Sequence, residues 1–549
     1  MENSCLNAPQ SYYPMQVVES NSEQVTTKKV SIVLNGNEVP ATEGERLINI
    51  INRHNIPLSS PCYHEALTET GHCGLCLVGA RRHKDDKFTV VYACTATAKD
   101  GMEIDTNYHE AVAKRQELYT LYLLEHPLDC SKCDKIGNCF LHKFSSQTKF
   151  RGFSRIINGK LDESIYEKFS SVLLHDQVKC INCQRCVRFY RDILGEENIG
   201  MVRGDKGYRE VTIYPGKNLE DNYSLNLVDL CPAGAFLSKS TMYQPAEWDL
   251  ASTPSISCES STGINTYVLH AKNKIYRIKA RHNEFVNDYW ITNSARDEHK
   301  LLEQQKRLLK VTYRGKYANL TTALINIVKL SQKQELAIVA SGNMSLEDQF
   351  ALSNMSSCLV SKIYFLRKHR KGDGFLISDD PTPNFNGAIL NRLTSGDDAV
   401  DDLTELNVMI QKGQCKRILV LNEDIFNLHI SYAIPPDLEI MYMGTDKNRT
   451  ADRASITIPT TTVFEYTGTF INKDWRLQKF NRAVKTPNLN IFPMWYLFSL
   501  ITAIYYSSDQ ADNSAPQLLD IWHDMRNSID VLSNVDFENL DPKGILLKK

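Results

Sequence analysis

The sequence predicts two fold classes in succession: small cysteine-bearing α+β modules up to about residue 240, then an α/β domain running to residue 549. Three observations lead there. The first is length, since 549 residues exceed what a single hydrophobic core organises. The second is that eleven of the fifteen cysteines fall between Cys62 and Cys231 in tight groups; core filler would be scattered, whereas ligands cluster. The third is that β-rich runs such as Glu335–Gly342 and Arg417–Asp424 alternate with helical periodicity downstream, a pattern that predicts parallel strands covered by helices.

Composition excludes several classes. A formal charge of −2 offers no basic face for nucleic acid. The opening residues 1–27 are polar, with no basic segment and no apolar run of a signal peptide; Glu2, Glu19 and Glu23 without any Arg argue against a mitochondrial transit peptide. A reducing compartment is therefore expected, which disfavours disulfides. The most apolar stretch, Ile491–Tyr506, is 16 residues long and contains Pro493. It falls short of the roughly 20 residues that span a bilayer and is expected to be a buried helix.

In the first module, an Asn35-Gly36 turn separates two apolar runs, the mark of a hairpin. Thr42 and Glu45 then have capping-box spacing ahead of Leu47, Ile50 and Ile51, one face of a helix. Hairpin, helix and cysteine loop are the order of a β-grasp ferredoxin. Cys62, Cys73, Cys76 and Cys94 supply four thiolates for a [2Fe–2S] cluster, with Gly71 and Gly74 allowing close backbone approach. Zinc, also satisfied by four cysteines, is the competing metal.

In the second module, a helical pattern from Asn107 to about Glu125 ends at Pro127, and Cys130, Cys133 and Cys139 follow. A [4Fe–4S] cubane needs a fourth ligand. Imidazole can serve, and spacing leaves His126, His142 and His109 as candidates, with a helix C-terminal interaction as the other role for His126. In the third module, Cys180, Cys183 and Cys186 form C-x2-C-x2-C and Cys231-Pro232 completes a bacterial ferredoxin pattern for a second [4Fe–4S] cluster. Arg185, Arg188 and Arg191 lie on the following helical run, adding positive charge near the cluster or facing solvent. The expected modules are residues 1–27 as a polar tail, then 28–106, 107–168, 169–240 and 241–549.

Taken together, the cysteine order, HPLDCSKCDKIGNC and KCINCQRC…LCP, resembles the large iron–sulfur subunit of respiratory complex I, the NADH-quinone oxidoreductase of bacteria; the match runs from about Lys28 to Pro245. The resemblance implies that His126 is the fourth ligand beside Cys130, Cys133 and Cys139. It also implies an electron relay. A partner subunit carrying FMN and NAD would load the chain, and further iron–sulfur and quinone-site subunits would receive the electrons. The place implied is the cytoplasmic face of the bacterial inner membrane, with membrane contact only through the complex. The alternative is a relay subunit of an NAD-linked hydrogenase or formate dehydrogenase. From Trp248 the chain is similar to a molybdopterin-oxidoreductase-like region, with Tyr466–Val484 as its later signature. Only Cys258 stands where some relatives place several ligands, so neither a further cluster nor a molybdopterin is expected. Cys358 and Cys415 are expected as small buried hydrophobes. Ala340–Ser345 lacks phosphate-loop spacing and is expected as a strand-to-helix turn, and the acidic stretches at Ser378–Asp380 and Gly396–Asp402 as solvated loops.

Overall fold

A computed structural model describes residues 28–127, 130–144, 166–204, 209–303, 305–333, 335–394, 402–427, 434–506 and 516–547. The polar tail, Leu128 and Asp129, most of the acidic stretch at 396–402 and the later part of the second module lie outside these residues. The chain forms two compact units, the first reaching Leu121 and the second beginning at Tyr122.

The first unit is a five-stranded sheet. Strands β1 (Lys29–Leu34) and β2 (Asn37–Thr42) pair antiparallel across Asn35 and Gly36. Both turn residues take positive φ, 51° and 82°, as a tight hairpin of right-handed twist requires. After helix α1 (Leu47–Arg53) come β3 (Leu77–Arg81), β4 (Thr89–Tyr92) and β5 (Glu103–Asp105), giving the order β2-β1-β5-β3-β4 with β1 and β5 parallel. Val30, Ile32 and Leu34 alternate inward along β1 and pack on Leu47, Ile48, Ile50 and Ile51 of α1. The expected capping box is only half realised. Glu45 accepts from the Thr42 amide at 3.1 Å, yet the N-cap is Arg46, because the Glu43-Gly44 turn delays the helix. Helix α2 (His109–Glu125) follows, with Pro127 just beyond it.

Within the second unit, Tyr166–Lys168, Leu173–Asp176 and Phe236–Ser238 form a small antiparallel sheet, and Ile199–Arg203 pairs with Arg209–Ile213. A three-stranded meander, Ala251–Ile256, Asn265–Ala271 and Lys274–Ala280, comes next. The α/β domain has a seven-stranded sheet at its centre. Ser361–Leu366, Leu336–Ser341, Arg417–Leu421, Glu439–Gly444 and Ile456–Pro459 run parallel, and Thr312–Tyr313 and Lys316–Tyr317 add an antiparallel edge. Ile338, Ala340, Leu419 and Met441 face the helices Leu320–Lys333, Leu346–Cys358 and Met494–Tyr506; Ala337, Val339, Ile418 and Ile440 face Leu406 and Ile410 of Asp402–Gln411. Burial on both faces is why these strands read as continuous apolar runs.

The Ala340–Ser345 segment is a strand-to-helix turn: Ser345 and Asp348 close a capping box on Leu346–Cys358. The apolar stretch at Ile491–Tyr506 forms the helix Met494–Tyr506, which buries Trp495, Leu497, Phe498 and Ile501. Among the described residues no helix is long and apolar enough to cross a membrane. Ser378–Asp380 differs from expectation. It is a docking loop, with the Ser378 hydroxyl 2.8 Å from that of Ser261 and the Asp380 carbonyl accepting from the Ser261 amide.

Two buried polar contacts tie this domain together. Arg307 donates to both oxygens of Glu465 at 2.9 and 3.2 Å, each side chain 2% exposed. Glu347 accepts from Trp522 Nε1 at 2.9 Å and from the amide and hydroxyl of Thr469 at 3.0 Å, joining the C-terminal helix to the hairpin that holds Gly468–Ile471. Burial pushes the Glu347 carboxyl up to about 7.

Removing one partner of the buried pair leaves a lone charge. Arg307→Leu is therefore expected to lower the urea stability of the domain by about 3–5 kcal/mol, followed by tryptophan emission. For Glu347 the folded value lies above the ordinary one of 4.5. Its stabilising contribution is complete below about pH 4.5 and is lost as pH rises through about 7. Glu347→Gln should flatten that pH dependence, a change on the order of 3 kcal/mol across the window; an unchanged profile would contradict the assignment.

Candidate iron–sulfur sites

The first site is built by sheet register. Strands β3 and β4 pair with Leu77 opposite Tyr92, so the residues just outside the pair, Cys76 and Ala93-Cys94, meet; the Ala93 amide donates to the Cys76 carbonyl at 3.0 Å. Cys62 and Cys73 come from the loop between α1 and β3, and all four cysteines are buried. Their sulfurs touch. The Cys73 and Cys94 thiols hydrogen-bond Cys62 and hold it far below the usual thiol range, while the bond to Cys62 pushes both of those thiols upward. Cys76 is lowered by the Cys94 thiol. Backbone amides of His72 and Cys73 also reach the Cys62 sulfur. Gly71 and Gly74 adopt positive φ, and a methyl group on Gly74 would lie 2.5 Å from Leu118 Cδ1, so α2 leaves room only for glycine there.

At the second site, His126 is 7% exposed and follows the last turn of α2. Cys130 opens a single 3-10 turn, Cys133 donates its amide to the Cys130 carbonyl at 3.2 Å, and Cys139 precedes the short helix Phe140–Phe144. Amides of Leu141 and His142 point at the Cys139 sulfur, and burial raises that thiol, with Cys133 and Cys130 nearby. The two rival histidines are engaged in packing. The His142 ring lies against Trp248 with centroids 5.7 Å apart, and His109, at the start of α2, packs on Tyr108 at 4.7 Å.

The third site lines a small cavity with Cys180, Cys183, Cys186 and Cys231, closed by Val211 and Phe236. Asn182 and Gln184, the residues between the cysteines, adopt left-handed φ of 56° and 60°. Such residues cost on the order of 1 kcal/mol or more each and concentrate where function demands them. Here they curl the loop so that the amides of Asn182, Arg185 and Val187 reach the sulfurs of Cys180, Cys183 and Cys186. Burial pushes Cys183 up to about 11 and Cys186 well above the usual range. The helix that follows is α-helical over Arg185–Arg188 and π-helical over Phe189–Leu194. Of its three arginines only Arg191 faces solvent, beside Asp192. Arg188 is buried and donates to the carbonyls of Gln184 and Cys183, and Arg185 donates to Leu230. The alternative of three solvated arginines is thus corrected: a desolvated loop of turned-in amides exposes carbonyls that need donors.

These surroundings fit clusters. The sulfurs are gathered, those of the first and third sites are buried, and several are met by amides, with Cys139, Cys183 and Cys186 raised by burial; iron would hold them as thiolates. Among the described residues no group of three or more Cys, His, Asp or Glu side chains is placed as the ligands of a single metal ion would be.

The other cysteines among the described residues stand apart. Cys258 is raised by burial and by the Glu298 carboxyl beside it. Cys415 is buried, as expected. Cys358 is only partly buried, its thiol donating to the Asn354 carbonyl at 3.3 Å, so the expectation of a buried hydrophobe fails for it: it closes the last turn of an exposed helix end. Sequence spacing did not reveal the left-handed residues or buried Lys135, which donates to the Val228 carbonyl at 2.8 Å; neither leaves a pattern in spacing.

Four family models match in chain order. They are a 2Fe-2S iron-sulfur cluster binding domain over 27–109, the NADH-ubiquinone oxidoreductase-G iron-sulfur binding region over 115–151, the ferredoxin-like domain of NADH-quinone oxidoreductase subunit 3 over 170–237, and molybdopterin oxidoreductase over 261–490. Among curated proteins, an NADH-quinone oxidoreductase subunit of Rickettsia felis is 28% identical over 61% of this chain and 50% of its own length. The NADH-ubiquinone oxidoreductase 75 kDa subunit of Reclinomonas americana is 31% identical over 50% of this chain and 39% of its own. The mitochondrial NADH dehydrogenase [ubiquinone] iron-sulfur protein 1 of Solanum tuberosum is 27% identical over 68% and 50%. The chain thus spans about half the length of the curated relatives it matches. Among solved structures, an NAD+-reducing [NiFe]-hydrogenase covers 40% of this chain and 91% of its own at 17% identity and a TM-score of 0.33, too low to bear on the fold. The succession of iron–sulfur and molybdopterin-type domains, and relatives named as subunits of one oxidoreductase, make the chain similar, domain by domain, to the large iron–sulfur subunit of NADH-quinone oxidoreductase.

Proposed function

We propose that this chain is an electron relay in NADH:quinone oxidoreductase, and that twelve side chains hold its three clusters. Cys62, Cys73, Cys76 and Cys94 would hold a [2Fe–2S] cluster; His126, Cys130, Cys133 and Cys139 one [4Fe–4S] cluster; and Cys180, Cys183, Cys186 and Cys231 another. The observation that carries this is the gathering of thiols at three separate places, two of them ringed by buried sulfurs with amides turned inward. Bound iron–sulfur clusters supply one-electron chemistry. The chain's part is to exclude water, to donate hydrogen bonds to sulfur and to set charge, as the buried Arg188 does beside Cys183.

By family, an electron would enter from a flavin- and NADH-binding subunit and pass the Cys62 site, then the Cys180 site, then the His126 site. A further iron–sulfur subunit would take it on to the quinone site. The chain would lie in the peripheral arm at the cytoplasmic face of a bacterial inner membrane, held there by its neighbours. The names of the curated relatives favour this over a hydrogenase or formate dehydrogenase relay. The α/β domain is a scaffold in this proposal, with no pterin role.

Imidazole replacing thiolate makes a cluster less negative and raises its potential. His126→Cys should therefore lower the midpoint potential of one paramagnetic signal of the dithionite-reduced chain and leave the other two in place. If all three signals stay unchanged, His126 is not a ligand. Cys231→Ala should damage the signal that depends on Cys180, Cys183 and Cys186; loss of the His126-dependent signal instead would mean that the two cysteine runs exchange ligands.

A further inference from the structure

Two segments that each carry proposed ligands of different four-iron sites lie directly against one another. The residue after Cys139 donates to the residue after Cys231: the Phe140 amide bonds the Pro232 carbonyl at 3.1 Å. Two residues further on, Gly234 has φ +74°, and a methyl group there would lie 2.7 Å from Lys135 Cβ and 3.4 Å from Cys133 Sγ. Lys135 itself is buried, and its ammonium donates to the Val228 carbonyl on the helix leading into Cys231. A hydrogen bond, a glycine contact and a buried lysine thus fasten Cys231–Gly234 to Cys133–Phe140.

Electron tunnelling decays less steeply along covalent and hydrogen bonds than across a gap. We propose that the two four-iron sites exchange electrons through this seam, with Cys139–Phe140 N–H···O=C Pro232–Cys231 as the bonded path and Gly234 as the residue that permits the close approach. One electron leaves one site and enters the other; no bond forms or breaks, and no proton needs to move. The inference rests on the ligand sets proposed above but adds a route that those sets do not specify. Phe140 and Gly234 are positioning residues.

The test uses the full chain, purified anaerobically and reduced with dithionite, and reads the exchange part of the coupling between the two four-iron signals by multifrequency paramagnetic resonance. Phe140→Pro removes the amide donor at the first position of a helix, where proline is tolerated; Phe140→Leu keeps the amide and removes the ring. The field-independent splitting should be present in the parent and in Phe140→Leu and be largely lost in Phe140→Pro and Gly234→Ala, with iron content and midpoint potentials retained. Full splitting in an iron-replete Phe140→Pro protein overturns the route. So does a parent with all three signals and no splitting, an outcome that leaves the relay reading intact. If Phe140→Pro loses iron, Gly234→Ala decides by the same splitting. A parent without iron would instead sink the relay reading itself.

Discussion

A thiolate buried without a cation is costly, and this molecule buries several cysteines side by side. The consequence is visible at the Cys180 site, where burial pushes Cys183 up to about 11 and Cys186 well above the usual thiol range, so that these two thiols favour the protonated form unless a metal takes the proton's place. At the Cys62 site the same pressure is relieved by sharing: hydrogen bonds from the Cys73 and Cys94 thiols, with the amides of Cys73 and His72, hold Cys62 far below the usual thiol range. Much of the surrounding architecture answers this constraint by supplying donors to sulfur without opening a path for water.

The donors are produced in two ways. In the β-grasp unit they come from regular structure, since the β3–β4 register places Cys76 beside Cys94 at the end of a ladder. Gly74 then lets the loop pass under Leu118. In the ferredoxin-like module they come from strain, with Asn182 and Gln184 in the left-handed region and Arg188 satisfying the carbonyls exposed by that turn. The α/β domain shows a third use of buried polar groups, since Arg307–Glu465 and Glu347–Trp522 link elements far apart in sequence.

What was legible in the sequence follows from locality. The hairpin at Asn35-Gly36, the helix before Pro127, the parallel strands at Leu336–Ser341 and Arg417–Leu421, and the grouping of the thiols all depend on short-range spacing or strict periodicity. The capping spacing does not mark the start of α1, because Glu43-Gly44 forms a turn inside it. The burial of Arg188 depends on carbonyls that only the folded loop exposes, so spacing carries no sign of it. The seam at Phe140 and Pro232 joins residues ninety-odd positions apart through backbone atoms, which carry no side-chain signature at all. His126 is the intermediate case: spacing left three histidines open, and the family resemblance chose among them.

The central claim is that these side chains hold iron and inorganic sulfide together. The most direct measurement is the iron and acid-labile sulfide content of anaerobically purified chain. The account predicts about ten of each per chain, from one two-iron and two four-iron clusters. Protein that carries zinc in their place, with no sulfide released by acid, would contradict it.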